Sequence, residues 1–300
     1  MSDMRHAYAE INGIQMHYVM EGRGEPILFL HGCPEYWGIW KRYLAEFSKD
    51  HLAIAPDLRG YNQTTRPKDV EQYNIHLLVE DVRALLDHLG LSKVTVVCQD
   101  WGALLGWSFA LRHPEYVRRF ITANVTHPAL FNRELRENPK QQEASSYMLT
   151  FSIPGVGAQF EANDFAFMRQ AVIAEARKDG AQLSDEDVEE WVQSWNSPGA
   201  IEAALNYYRA ARLAPPDGKG SPGGSNLLEG VSQEKWKARF PVLMLWGEAD
   251  ATLLPGCLNG LEEYVPDLTI HKFPGATHWV TLQRSTQVFQ HIREFMARKG

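Results

Sequence analysis

Val94 to Ala103 reads V-T-V-V-C-Q-D-W-G-A, and these ten residues decide the fold. An apolar run rich in β-branched residues stops at Asp100, Gly102 follows, and an apolar helical pattern (Leu104, Leu105, Trp107, Phe109) begins. The segment predicts a buried strand, a sharp turn and a helix, with a carboxylate at the apex where a nucleophile elbow places serine. So tight a turn needs small neighbours, which Cys98 and Gly102 supply, and aspartate tolerates positive φ better than most residues. The apex residue sets the chemistry. A serine attacks acyl carbons, whereas an aspartate can displace a leaving group from an alkyl carbon and hold the product as an ester.

Strand-like and helix-like segments alternate around this elbow. Ala7–Ile11 and Ile14–Met20, joined through Asn12-Gly13, read as a hairpin. Ile27–Leu30, Leu52–Ala55 and Phe120–Val125 read as strands, and Leu77–Leu89 as a helix ending at Gly90. Short apolar strands alternating with helices predict a mostly parallel sheet covered on both faces. From His127 to Trp236 the pattern changes to helical stretches and loops. Strands resume at Val242–Trp246 and Thr269–Phe273, and a last helix is expected over Thr281–Ala297. The expected organisation is an α/β core made of residues 1–126 and 237–300, with residues 127–236 inserted as a helical cap. Eight strands are counted in all. Near the end of the insert, A-P-P-D-G-K-G-S-P-G-G-S-N (Ala214–Asn226) is expected to be a mobile loop.

The chain has 300 residues, 44% hydrophobic and 22% charged, enough for one large domain or a core with a lid. A net charge of −7 without a basic cluster argues against nucleic acid and anionic membranes as partners. The N-terminal M-S-D-M-R-H-A-Y-A-E lacks an apolar signal-peptide core, and no run approaches a membrane span. Three cysteines without a C-x-x-C pair point to a reducing, cytoplasmic setting with no disulfide framework. The acidic run Ser184–Glu190 reads as a capped helix start rather than a metal site. The histidines lack zinc-ligand spacing, so neither a metal nor a cofactor is expected. Self-association is left open.

An aspartate nucleophile needs a base to activate water, an acid to orient the base, and donors for the developing oxyanion. After Val242–Trp246 comes G-E-A-D-A-T-L-L-P, which places Asp250 past a strand's carboxyl end; after the last strand, F-P-G-A-T-H-W places His278 in the next loop. Active sites of parallel sheets gather at these ends, and Asp100, Asp250, His278 follow the nucleophile–acid–histidine order. Glu248 is the rival acid but sits nearer its strand. The oxyanion donors are expected to be the amides of Trp101 and of Cys33 in H-G-C-P-E-Y-W. Pro34 has no N–H and is expected to fix that turn, a cis bond being one way. His31 reads as a structural residue of the loop, and Cys33 and Cys98 as packing residues, not nucleophiles.

H-G-C-P-E-Y-W-G-I-W, A-P-D-L-R-G-Y, C-Q-D-W-G and G-E-A-D with G-A-T-H resemble the epoxide hydrolase and haloalkane dehalogenase branch of the α/β-hydrolase superfamily, over the whole chain. The resemblance implies ester formation on the elbow aspartate followed by hydrolysis, and in epoxide hydrolases two lid tyrosines that bind the epoxide oxygen. Q-Q-E-A-S-S-Y-M-L-T-F-S-I-P-G is similar to the segment bearing the first, Tyr147, and I-E-A-A-L-N-Y-Y-R-A-A-R to that bearing the second. Ile201, Ala204, Leu205 and Tyr208 form one helical stripe, with Tyr207 turned about 100° away, so Tyr208 is selected. Ala144, Tyr147, Met148 and Phe151 are expected on one face of another helix. Trp37, Trp40, Trp101 and Phe151 are expected to line an apolar pocket.

The implied activity is conversion of a small apolar epoxide and water to a vicinal diol, as in detoxification. The alternative is a haloalkane dehalogenase, with Trp191 or Trp195 as halide donor. Gln99, where epoxide hydrolases more often have histidine, leans toward it. Haloacetate dehalogenases, which resemble D-R-G at the elbow, fit worse. A non-catalytic receptor of the same fold is the reading outside enzymes; such proteins often lose a triad member, and this chain keeps all three.

Overall fold

The computed structural model describes residues 4–178 and 180–298, so the first three residues of the N-terminal stretch lie outside it. Eight strands form one sheet: β1 (Arg5–Ile11), β2 (Ile14–Gly22), β3 (Glu25–Leu30), β4 (His51–Pro56), β5 (Val94–Gln99), β6 (Val117–Ala123), β7 (Val242–Gly247) and β8 (Leu268–Phe273). Their order is β1-β2-β4-β3-β5-β6-β7-β8. The first two pairings are antiparallel and the rest parallel. The opening hairpin turns at Asn12 (φ 44°) and Gly13 (φ 77°), the two left-handed residues that a tight I′ turn requires. β5 and β7 are buried at every position, as strands covered on both faces must be.

The helices are α1 (Lys41–Phe47), α2 (Ile75–His88), α3 (Asp100–Arg112), α4 (Pro128–Glu137), α5 (Pro139–Ala144), α6 (Tyr147–Phe151), α7 (Gly157–Met168), α8 (Ala174–Ala176), α9 (Asp185–Trp195), α10 (Ala200–Ala211), α11 (Leu261–Tyr264), α12 (Val280–Gln283) and α13 (Ser285–Met296). Those from α4 to α10 lie between β6 and β7. Ser184 opens α9 with a capping box closed by Asp187, so the acidic run is a helix start. Ala214 and Gly224 exchange backbone hydrogen bonds of 3.1 and 2.8 Å, closing the base of the glycine-rich loop.

Three elements differ from the sequence reading, and side chains account for each. The strand expected over Phe120–Val125 ends at Ala123, because Asn124 turns left-handed (φ 56°) and spends its amide on neighbouring loops. The last helix breaks at Arg284 (φ −127°, ψ 29°); just before the break, Gln283 accepts from the Thr277 N–H at 2.8 Å. The helix expected to carry both Ala144 and Tyr147 is split at Ser145–Ser146, where the buried Gln141 donates to Ser145 Oγ (2.9 Å) and to the Thr252 carbonyl (2.7 Å).

One buried ion pair fixes the loop after β4, on which α10 then docks. Arg59, two residues beyond Asp57, donates to both oxygens of Asp81 on α2 at 2.7 Å, and Asn12 donates to the same carboxylate at 2.7 Å. The carbonyl of Arg59 then accepts the Tyr207 hydroxyl at 2.8 Å, which fixes the rotation of α10. Removing one member of such a pair leaves a buried charge alone and costs about 3–5 kcal/mol. Arg59→Met is therefore expected to lower the urea midpoint by that equivalent with an unchanged m-value; a loss under about 1 kcal/mol, the range of a surface pair, would contradict this account.

Candidate active site

β5 delivers Asp100 onto the first residue of α3 with φ 46°, so its carboxylate stands beyond the sheet's carboxyl edge. The approach is tight. A Cβ at Gly102 would collide with the carbonyl oxygens of Leu30 and His31, and one at Gly32 with the Asp100 carboxyl. The two carboxylate oxygens have different neighbours. Oδ1 accepts the Cys33 amide at 2.6 Å, from the loop after β3. Oδ2 lies 3.3 Å from His278 Nε2, in the loop after β8.

His278 Nδ1 meets Asp250 Oδ2 at 2.8 Å. Asp250 is buried and fully engaged: Oδ1 accepts the Thr252 amide (2.7 Å), the Thr252 hydroxyl (2.7 Å) and the Leu253 amide (3.1 Å), and Oδ2 also accepts Asn124 Nδ2 (2.9 Å). Burial pushes its pKa up, but the charge of His278 and the bonds from His278 and Thr252 outweigh that and hold it below the usual carboxylate value. Burial likewise pushes His278 down; the charges and hydrogen bonds of Asp250 and Asp100 win, and its pKa stands well above the ordinary imidazole value. Glu248, the rival acid, is exposed.

Next to the carboxylate lies a cavity of about 260 Å³, lined by Asp100, His278, Cys33 and apolar residues of the insert, among them Phe151, Phe160, Met168 and Val172. Ile201, Ala204, Leu205 and Tyr208, the stripe of α10, all line it, as does Tyr147 at the start of α6. The two tyrosine rings meet edge-on at 6.5 Å, and Phe151 packs against both, at 5.2 Å from Tyr147 and 5.1 Å from Tyr208. Burial foremost, with the Asp100 charge also contributing, raises the pKa of both phenols, so each remains a protonated donor at neutral pH. Tyr207 points elsewhere, toward Tyr61, Tyr73 and Trp101.

Trp101 places its buried ring against Tyr208 at 5.0 Å. Its amide belongs to the first turn of α3, whose N–H groups have no intrahelical acceptor. Trp101, expected in the cavity wall, is not among the residues that line the cavity, and neither are Trp37 and Trp40. The 3₁₀ turn Trp37–Trp40 rotates them into the core, Trp40 against Phe29 and Tyr43 and Trp37 against His6 and Tyr36. Trp191 and Trp195 are no free halide donors either: both indole N–H groups donate to the Pro34 carbonyl, at 2.8 and 2.6 Å. His31 spends its ring nitrogens on backbone, one accepting the Leu58 amide at 3.0 Å and the other bonding the Gly32 carbonyl at 2.9 Å. The Cys33-Pro34 bond is cis. Cys98 is buried, with its thiol bonded to the Ile121 carbonyl.

Sequence reasoning missed Asn124 and Glu35. Asn124 ties β6 to the Asp250 and Thr277 loops and accepts the Gly247 amide at 2.6 Å. Glu35, in the quoted H-G-C-P-E, is buried, accepts the Gly32 amide and is bonded by Gln99, whose own carbonyl accepts the Thr281 hydroxyl. Burial and the Asp100 charge push Glu35 up to about 8. The position of a buried carboxyl in that motif was the available signal. Among the described residues, no group of three or more His, Cys, Asp or Glu is placed to hold a metal, and no helix is long and apolar enough to cross a membrane.

The arrangement offers a carboxylate with one oxygen held by an amide, an imidazole aligned by a second carboxylate, and two phenols across an apolar cavity. The Asp100 charge is one reason His278 binds its proton tightly, so neutralising that carboxylate must release the imidazole. In Asp100→Asn, His278 is expected to titrate at lower pH than in the wild type, read by NMR of the ring protons; an equal or higher midpoint would refute this coupling.

Residues 25–285 match the family of the alpha/beta hydrolase fold. Over 97% of its length the chain is 32% identical to epoxide hydrolase 4 of Homo sapiens, covering 78% of that protein. A Bacillus megaterium epoxide hydrolase solved with an inhibitor is 37% identical, with a TM-score of 0.88 over 97% of this chain and 100% of that one. A phenylalanine-to-alanine variant of the Bacillus megaterium enzyme, with the same identity, TM-score and coverage, was solved with its product (R)-3-[1]naphthyloxy-propane-1,2-diol. Likeness of this degree, in sequence and in backbone, extends along nearly the whole chain, which therefore belongs to the epoxide hydrolase family of α/β-hydrolase-fold enzymes.

Proposed function

We propose that this enzyme converts an apolar epoxide to its vicinal diol through an ester on Asp100, without a cofactor. The observation that carries the reading is the placement of two phenols, Tyr147 and Tyr208, in the same cavity as Asp100 and His278. Residues 127–236 act as a cap over a core of residues 1–126 and 237–300.

In the first step Oδ2 of Asp100, the oxygen not held by an amide, bonds to a ring carbon while the carbon–oxygen bond breaks. The electron pair goes to the epoxide oxygen, which takes a proton from a phenol. Esterification removes the Asp100 charge and with it one cause of the high pKa of His278. The imidazolium then yields its proton to solvent, regaining one when the free Asp100 carboxylate returns, and the imidazole is a competent base when one is needed. It takes a proton from water as the hydroxide bonds to the ester carbon. The amides of Cys33 and Trp101 stabilise the oxyanion on Oδ1. Collapse expels the diol oxygen, which recovers the proton from His278, and the new carboxyl's proton restores the phenol.

The cavity walls favour an apolar, ring-bearing substituent on the epoxide, and the naphthyloxy diol bound by the Bacillus megaterium relative supports that class. Against a dehalogenase stands the commitment of both Trp191 and Trp195 indoles to Pro34, which leaves neither for a departing halide.

With His278→Gln, ring opening is expected to proceed and hydrolysis to stall, so that intact-mass spectrometry finds the protein carrying the substrate mass. A variant that binds substrate but never gains that mass would overturn the scheme. Tyr147→Phe combined with Tyr208→Phe is expected to reduce epoxide turnover by at least the roughly 10²–10³ typical of one lost oxyanion donor. A double variant that kept its epoxide rate and released halide from haloalkanes would establish the alternative.

A further inference from the structure

Trp191 and Trp195 lie four residues apart on α9, on one face of the helix, and both are buried. Their indole N–H groups converge on a single acceptor, the carbonyl oxygen of Pro34. A carbonyl has two lone pairs, so the two bonds saturate it. Pro34 directly follows Cys33, whose amide holds Asp100 Oδ1 at 2.6 Å. The same helix grips the loop again beyond Pro34, where Glu190 accepts the Tyr36 hydroxyl at 3.0 Å and pairs with Lys41. Trp191 also packs edge-on against Trp279 at 5.5 Å, and Trp279 against His278 at 5.6 Å.

We propose that Trp191 and Trp195 are positioning residues that clamp the oxyanion loop for ester hydrolysis, acting through the Pro34 carbonyl. This rests on the ester mechanism proposed above. The direction of the effect follows from where charge sits on Oδ1. The free carboxylate shares its charge over both oxygens. In the ester Oδ1 is a neutral carbonyl, and in the tetrahedral state of hydrolysis it carries a full negative charge. A rigid N–H at Oδ1 therefore lowers the hydrolysis barrier, because charge builds there. It opposes ring opening slightly, because charge leaves. Loosening the clamp slows the second step and leaves the first unchanged or faster.

Trp→Phe keeps an aromatic ring and removes the N–H. The experiment is single-turnover quench-flow with styrene oxide, following the ester by intact mass and the diol by chromatography, for Trp191→Phe, Trp195→Phe and the double variant. In the double variant the hydrolysis constant is expected to fall about tenfold, less than the 10²–10³ lost with an oxyanion donor itself. The ring-opening constant should stay within about threefold of wild type or rise. The ester should accumulate, and kcat and KM should fall together so that kcat/KM holds. Trp236→Phe, which removes an indole bonded to the Val231 carbonyl away from the cavity, should change neither constant. If the double variant does not fold, Trp195→Phe alone should show the same split at about threefold. A parallel loss in both steps, or an unchanged hydrolysis constant, overturns the clamp while leaving the ester mechanism intact. A wild type that forms no ester from styrene oxide overturns the mechanism on which it rests.

Discussion

The hydrogen bond from the Cys33 amide to Asp100 Oδ1 is the contact on which the rest of the site depends. It makes the two oxygens of one carboxylate inequivalent. One is held against the loop after β3; the other faces His278 and the cavity. A flexible aspartate could not maintain that difference. The left-handed turn at Asp100, the close approach allowed by Gly32 and Gly102, and the burial of β5 on both faces remove the freedom that would erase it. Preorganisation of this kind spares the reacting state the cost of reorienting its surroundings.

Charge at the site is arranged with equal care. Asp100 and Asp250 flank one imidazole, and both contribute to its high pKa. A third carboxyl, Glu35, lies buried close by, and if ionised it would repel the Asp100 carboxylate. Burial and the Asp100 charge push its pKa up to about 8, against the N–H donors of Gly32 and Gln99, which pull it down. Gln99 suits that role because an amide carries no charge of its own and can donate to Glu35 while accepting from Thr281. The residue that leaned toward a dehalogenase in the sequence is thus engaged with Glu35 and Thr281, not with the cavity.

The carboxyl ends of β5, β7 and β8, to within one residue, and the repeat of α10 were readable from the chain. Asp100, Asp250 and His278 could be placed together because a parallel sheet collects the carboxyl ends of its strands. Tyr208 could be told from Tyr207 because 3.6-residue periodicity turns adjacent side chains to different faces, and the structure sends Tyr207 to the Arg59 carbonyl. Trp37 and Trp40 were misplaced because an aromatic residue near a motif advertises burial but not which side it packs on. Asn124 and Asp250 are 126 positions apart, and Gln141 and Thr252 are 111 apart. Such polar contacts have no period and no local signature, so only the folded chain displays them.

The helices between β6 and β7 contribute more than apolar lining to the cavity. α6 and α10 bring the phenols, and their orientation is fixed through Phe151 and the Tyr207–Arg59 bond. α9 bonds to the loop that holds Asp100. In the proposed reaction the phenols act as the ring opens, while the loop's amide acts as the ester is hydrolysed. Distinct segments of one inserted block would then serve distinct steps. A substitution in α10 could change the choice of epoxide without disturbing water attack, and one in α9 could change ester lifetime without altering which epoxides enter.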